Sequence, residues 1–133
     1  MNEFVLNKKV SIEQIDRYYA LDTGLPFEED HLKQDAIAMN LQRACELGID
    51  IANHVIKVKK LGLPQDSKDS FALLRRAGLI DADMTVALQS MVGFRNILVH
   101  EYQKLDLAIM VEVIEHRVKN LHIFANTMLK AFD

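Results

Sequence analysis

The stretch Glu28–Pro64, EEDHLKQDAIAMNLQRACELGIDIANHVIKVKKLGLP, decides the fold. Within it Ile37, Leu41, Ala44, Gly48, Ile51, Ala52 and Val55 recur at spacings of three and four. That period is the mark of one buried helical stripe. The pattern predicts a single long helix from about Glu28 to Leu61, with Gly62 at the C′ position and Pro64 beyond it as the stop. Ala44, Gly48 and Ala52 are small and stack one turn apart, so a second helix is expected to approach closely there. Cys45 lies within the stripe and reads as a small core residue.

Working outward, a helical pattern from about Glu3 to Leu21 precedes this segment, and Gly24 and Pro26 break the chain after it. Ser11 with Gln14 has the form of a capping box that would divide that helix. One undivided helix is the expectation. On the other side, a short helix is expected from about Ser67 to Ala77, capped by Asp66 or Ser67 and stopped by Gly78. A fourth starts after Asp81 and runs towards Tyr102. A fifth starts near Asp106 and runs almost to the end, with Leu107, Met110, Val111, Ile114, Val118, Leu121, Met128 and Phe132 as its stripe. No strand-like alternation of useful length appears. The fold class is therefore all-α, an antiparallel helical bundle of about five helices, two of them long. With 133 residues the chain reads as one domain, 1–133, large enough to bury its own core.

The charge is unevenly spread. The net value is −3, which argues against a strongly basic nucleic-acid binder. Residues 54–76 nevertheless hold six Lys/Arg against two Asp/Glu. The cations are Lys57, Lys59, Lys60, Lys68, Arg75 and Arg76. Solvated helix ends account for them, since cations favour helix C-termini. A phosphate track or a partner contact accounts for them as well. One cysteine permits no intrachain disulfide and suits a reducing compartment. Met1–Val10 carries Glu3, Lys8 and Lys9 and does not read as a signal peptide. No run of about 18 apolar residues is present, so no membrane span is expected. A cytoplasmic location follows as the expectation.

The chemistry concentrates in Met91–Tyr102, MVGFRNILVHEY. At about 100° per residue, Asn96 lies roughly 100° and His100 roughly 140° from Arg95. Asn96 and His100 thus share nearly one face, and the long arm of Arg95 reaches the same space. A continuing helix would set Tyr102 about 20° from Arg95 and roughly 10 Å along the axis. Phe94, Ile97, Leu98 and Val99 surround the motif with apolar side chains, which predicts a mostly buried element. Its polar groups then need partners, a wet cleft or a subunit interface. A metal-independent ribonuclease needs these residue types. A histidine handles the proton of a ribose 2′-OH. An arginine meets the phosphate charge with a planar fork. An asparagine holds a phosphate oxygen or orients the histidine. No metal-ligand spacing accompanies them, so neither a metal nor a cofactor is expected. The same spacing also fits a packing network, with Arg95 paired to an acid, Asn96 capping and His100 satisfied in the core.

Other residues weigh less. Glu112 and His116 read as an i,i+4 surface pair. His31, His54 and His122 show no partner pattern, and the methionines read as core filling. Asp35 and Glu46 are placed to face the motif across the bundle and pair with Arg95.

Arg95-Asn96-Ile97-Leu98-Val99-His100 resembles the Arg-x(4–6)-His signature of the HEPN superfamily. With Glu101-Tyr102 it is similar to the longer Arg-x4-His-x-Tyr form of HepT-like toxins. Gln42-Arg43-Ala44, the Gly62-Leu63-Pro64 break and the Leu74–Leu79 stretch extend the resemblance over nearly the whole chain. The resemblance implies a small helical endoribonuclease toxin that acts as a homodimer. Arg95, Asn96 and His100 of two subunits would line an interface cleft, with RNA as the substrate. It also implies a minimal nucleotidyltransferase antitoxin that transfers AMP onto Tyr102. An adenylyl phosphate there would add negative charge and bulk beside Arg95. The competing function is a non-catalytic helical binding partner that serves only as substrate of the nucleotidyltransferase. A four-helix metal protein is more distant, because paired inward carboxylates with Glu-x-x-His spacing are lacking.

Overall fold

The computed structural model describes residue 17 and residues 19–131. The expected first helix, with its Ser11–Gln14 question, lies largely outside the described residues. Asp30 caps the first long helix, α1 (His31–Lys59), by accepting from the Lys33 amide at 3.0 Å. Helix α1 begins three residues later than its pattern, because Phe27–Glu29 forms a separate 3₁₀ turn ahead of the cap. Thr23 donates to the same carboxylate. That bond and the Lys33 amide hold the Asp30 carboxyl below its ordinary value.

Helix α2 (Ser67–Arg76) is capped by Asp66, and α3 (Ala82–His100) by Asp81. Helix α4 (Leu107–Glu112) is capped by Asp106 and runs through a π-helical turn, Val113–Arg117, into α5 (Val118–Ala131). Together α4, the π turn and α5 make the second long rod. The described residues contain no strand.

The C-terminus of α1 differs from its expectation. Lys60, not Gly62, occupies C′ in the αL conformation, at φ 56 and ψ 50, and Gly62 follows at φ 126. Leu61 N–H donates to the Ile56 carbonyl at 3.0 Å and Lys60 N–H to that of Lys57 at 3.4 Å, the two bonds of a Schellman motif. Leu61 packs against the core, and that apolar contact fixes where the helix must turn. Gly78 ends α2 as expected, with φ 77 and the matching pair of bonds from Gly78 and Leu79.

The core joins α1, α2, α3 and α5. Ile37, Leu41, Ile51, Phe71, Leu74, Leu88, Leu121, Phe124 and Met128 are fully buried. Phe71 and Phe124 meet edge to face, with ring centroids 5.6 Å apart. The small-residue stripe does admit a neighbour: a Cβ built on Gly48 would stand 2.9 Å from Leu121 Cδ2. Of the stripe expected for the last helix, Met110, Ile114, Val118, Leu121 and Met128 are buried, Val111 is half-exposed, and Phe132 lies outside the described residues. The π turn changes one pairing. Glu112 binds Arg117 at 2.8 Å, five positions on, in place of the expected His116. A regular helix brings together residues three and four apart, and the wider turn shifts the partner by one.

Candidate active site

Helix α3 buries Leu88, Met91, Val92, Phe94 and Leu98. The opposite face carries Val86, Ser90, Asn96, Ile97 and His100, all exposed. The motif helix is therefore half-buried and not buried on most sides. Asn96 and His100 avoid the desolvation cost by facing water. Ile97 and Val99 are apolar and nevertheless stay 39% and 40% exposed.

Arg95 stands off this face, on the side of α3 that meets α1. Its Nη1 donates to Asn96 Oδ1 at 3.1 Å. Its Nε stands 3.5 Å from Glu46 Oε1 on α1, with the two side chains 32% and 41% exposed. Nε makes no aligned hydrogen bond, so the Glu46 contact is Coulombic and loose. Gln42 Nε2 donates to the same Glu46 oxygen at 3.0 Å. Of the two acids expected opposite the motif, only Glu46 takes Arg95.

Asp35 takes the tyrosine. Helix α3 stops at His100, and Tyr102 opens a 3₁₀ turn, Tyr102–Lys104. The projection that carried the helix to Tyr102 fails there, because Glu101 leaves helical geometry at φ −140 and ψ 30. The phenol crosses to α1 and its hydroxyl donates to Asp35 Oδ1 at 2.7 Å. Burial first, then the Asp35 hydrogen bond and its charge, push the phenol up to about 12. A cavity of about 240 Å³ beside it is lined by His31, Gln34, Asp35, Tyr102, Leu107 and Met110. His100 and Tyr102 also share a wider cleft with Glu101 and Lys104.

Two further features frame the site. Gly93, Phe94, Ile97, Ile109 and Val113 line a groove of about 420 Å³ between α3 and the last rod. The basic stretch stands on other elements than the motif. Lys57 lies eleven residues past Glu46 on α1, about 16 Å along the axis, and Lys68, Arg75 and Arg76 are on α2. Arg76 pairs with Asp69 at 3.6 Å. Cys45 is buried. Burial pushes its thiol up to about 12 despite the opposing charge of Arg95, so it is an inert core group.

The Asp35–Tyr102 bond escaped sequence reasoning, although a signal existed. Asp35, Gln42, Glu46 and Asn53 follow one another at seven, four and seven residues. At about 100° per residue they stay within roughly 20° of one line. That line borders the core stripe and meets successive elements: Asn53 accepts from Ser70 Oγ at 2.7 Å, Glu46 faces Arg95 and Asp35 holds Tyr102.

A helical domain whose third described helix carries Arg-x4-His, with the motif's tyrosine in the 3₁₀ turn just beyond it, defines the class. The family model "Ribonuclease HepT-like" matches residues 9–128, and the chain belongs to that family. The mRNA nuclease HepT of Shewanella oneidensis is 42% identical over 132 residues, covering 96% of this chain and 98% of that protein. Among solved structures, the tri-AMPylated Shewanella oneidensis HEPN toxin in complex with MNT antitoxin is similar at a TM-score of 0.86 and 41% identity, over 98% of this chain and 99% of that one. A tyrosine-to-alanine mutant of the toxin–antitoxin pair MntA-HpeT gives 0.84 and 40%, over 96% and 98%.

Proposed function

We propose that this chain is the toxin of a toxin–antitoxin module, a metal-independent endoribonuclease acting through Arg95, Asn96 and His100. The observation that carries the assignment is the α3 face. An arginine only loosely held by Glu46 is hydrogen-bonded to an exposed asparagine, and an exposed histidine follows that asparagine one helical turn on. An RNA phosphate competes with Glu46 for the guanidinium and offers it a bidentate partner. Asn96 holds a phosphate oxygen. His100 takes the proton of the 2′-OH as that oxygen attacks phosphorus, and the 5′-oxygen leaves. The apolar groove, with the exposed Ile97 in its lining, favours a second copy against this face, giving a homodimer cleft with two sets of motif residues. Residues 1–133 then act as one domain in the cytoplasm.

The similarity to an AMPylated toxin bound to its MNT antitoxin supports the second half of the reading. A minimal nucleotidyltransferase neutralises this chain by adenylylating Tyr102, and the phosphate adds charge and bulk to the cleft shared with His100. Lys57, Lys59, Lys60, Lys68, Arg75 and Arg76 contact RNA or the antitoxin away from the motif.

The test is cleavage of total cellular RNA by purified unmodified protein in EDTA, beside an Arg95→Ala, His100→Ala double variant. Cleavage by the wild type alone is the expected result. Equal cleavage by a folded double variant would overturn the site. No cleavage by wild type with Tyr102 shown free by intact mass would favour the non-catalytic partner.

A further inference from the structure

We infer that Asp35 is the proton acceptor for modification of Tyr102, so that the toxin supplies the base for its own inactivation. The inference rests on the reading that Tyr102 is the adenylylated residue.

The tyrosine hydroxyl is a poor nucleophile while it keeps its proton. Nothing on its own segment removes that proton. The charged and titratable groups around it are Asp35 and His31 on α1, and His100, Glu101 and Lys104 on the flanking chain. The last rod offers only Leu107 and Met110 there. Of these groups, Asp35 alone is hydrogen-bonded to the hydroxyl oxygen, at 2.7 Å, and it accepts the proton in the ground state. That is the distance and polarity a general base needs. Asp35 is also exposed, so a proton delivered to it passes to water.

The step balances. The phenolic oxygen forms a bond to the α-phosphorus of a nucleoside triphosphate held by the nucleotidyltransferase. The bond from that phosphorus to the bridging oxygen breaks and pyrophosphate leaves. The phenolic proton moves to Asp35 as the new bond forms. The product is a phosphodiester between Tyr102 and the nucleoside, with Asp35 transiently neutral. A protonated Asp35 beside the new anion also removes the repulsion that two negative groups would feel.

A purely electrostatic role for Asp35 predicts the reverse sign. Its negative charge and hydrogen bond help hold the proton on Tyr102. Replacing it by asparagine would then ease ionisation and speed modification. The two roles therefore separate in one assay.

The assay incubates full-length wild type, Asp35→Asn, Asp35→Glu and Tyr102→Phe with the MNT antitoxin of Shewanella oneidensis, ATP and magnesium. The readout is the rate of AMP addition by intact mass, from pH 6 to pH 10. Wild type is expected to be modified and Tyr102→Phe not. Asp35→Asn is expected to slow by at least about tenfold at neutral pH and to recover as hydroxide replaces the base. Asp35→Glu should retain most of the rate. Modification of folded Asp35→Asn at the wild-type rate or faster overturns the inference while leaving Tyr102 as the target. Modification of Tyr102→Phe as fast as wild type overturns the Tyr102 reading itself.

Discussion

Two mid-helix glycines should respond to the same substitution with opposite signs. Both Gly48 in α1 and Gly93 in α3 lie inside helices, where alanine is favoured over glycine by about 0.5–1 kcal/mol. A Cβ on Gly93 meets nothing within 4 Å, so Gly93→Ala keeps that gain. A Cβ on Gly48 meets Leu121 Cδ2 at 2.9 Å, at least about 0.6 Å inside an ordinary carbon contact. Leu121 is 1% exposed and cannot swing into water. Overpacking of this kind costs about 1–3 kcal/mol. Net of propensity, Gly48→Ala should destabilise by about 0–2.5 kcal/mol, and Gly93→Ala should stabilise. Urea unfolding of wild type and both variants, compared at equal slopes, measures the difference. The signature is a midpoint that falls for Gly48→Ala and rises for Gly93→Ala. A rise of equal size at both positions would refute the close approach of α5 to α1. A fall at Gly93 would refute the open space read beside its Cβ.

Other outcomes follow from single residues. Lys60 holds a left-handed conformation that costs a side-chain-bearing residue about 1 kcal/mol. Lys60→Gly should therefore raise the melting temperature by about 3 °C, read by circular dichroism. Tyr102 should ionise late, near pH 12, as a tyrosinate absorbance step that Tyr102→Phe lacks. Because folding raises its pKa, its stabilising contribution is full below about pH 10 and is lost as pH rises through about 12. The melting difference between wild type and Tyr102→Phe should close over that window.

Period and punctuation made most of the fold legible. Helix α1 could be read because its stripe repeats for about five turns, and Asp66, Asp81, Asp106 and Gly78 marked ends that the structure keeps. The failures share one cause, which is that tertiary contacts outrank local signals. Lys60 accepts a strained conformation so that Leu61 can reach the core, although Gly62 stood two residues away. The π turn moves Glu112 from His116 to Arg117. Helix α3 stops before Tyr102, whose phenol finds Asp35 across the bundle. The site's residue types were visible in Arg95, Asn96, His100 and Tyr102, and its pairings were not. Glu46 and Asp35 both suited Arg95 by charge, and only the path of the chain after His100 divides them.

The line of polar residues along α1 makes that helix a ruler. Its marks at 35, 46 and 53 set where the tyrosine, the arginine and Ser70 must stand, and each mark has both a height and an angle. Inserting one residue between Asp35 and Gln42 would turn Asp35 by about 100° and carry it off Tyr102 without altering any contacting side chain. Inserting seven would restore the angle to within about 20° but add about 10 Å of height. Changes of length can therefore be absorbed before Asp35 or after Asn53, and the span between them is fixed by geometry even where its individual residues are free to vary.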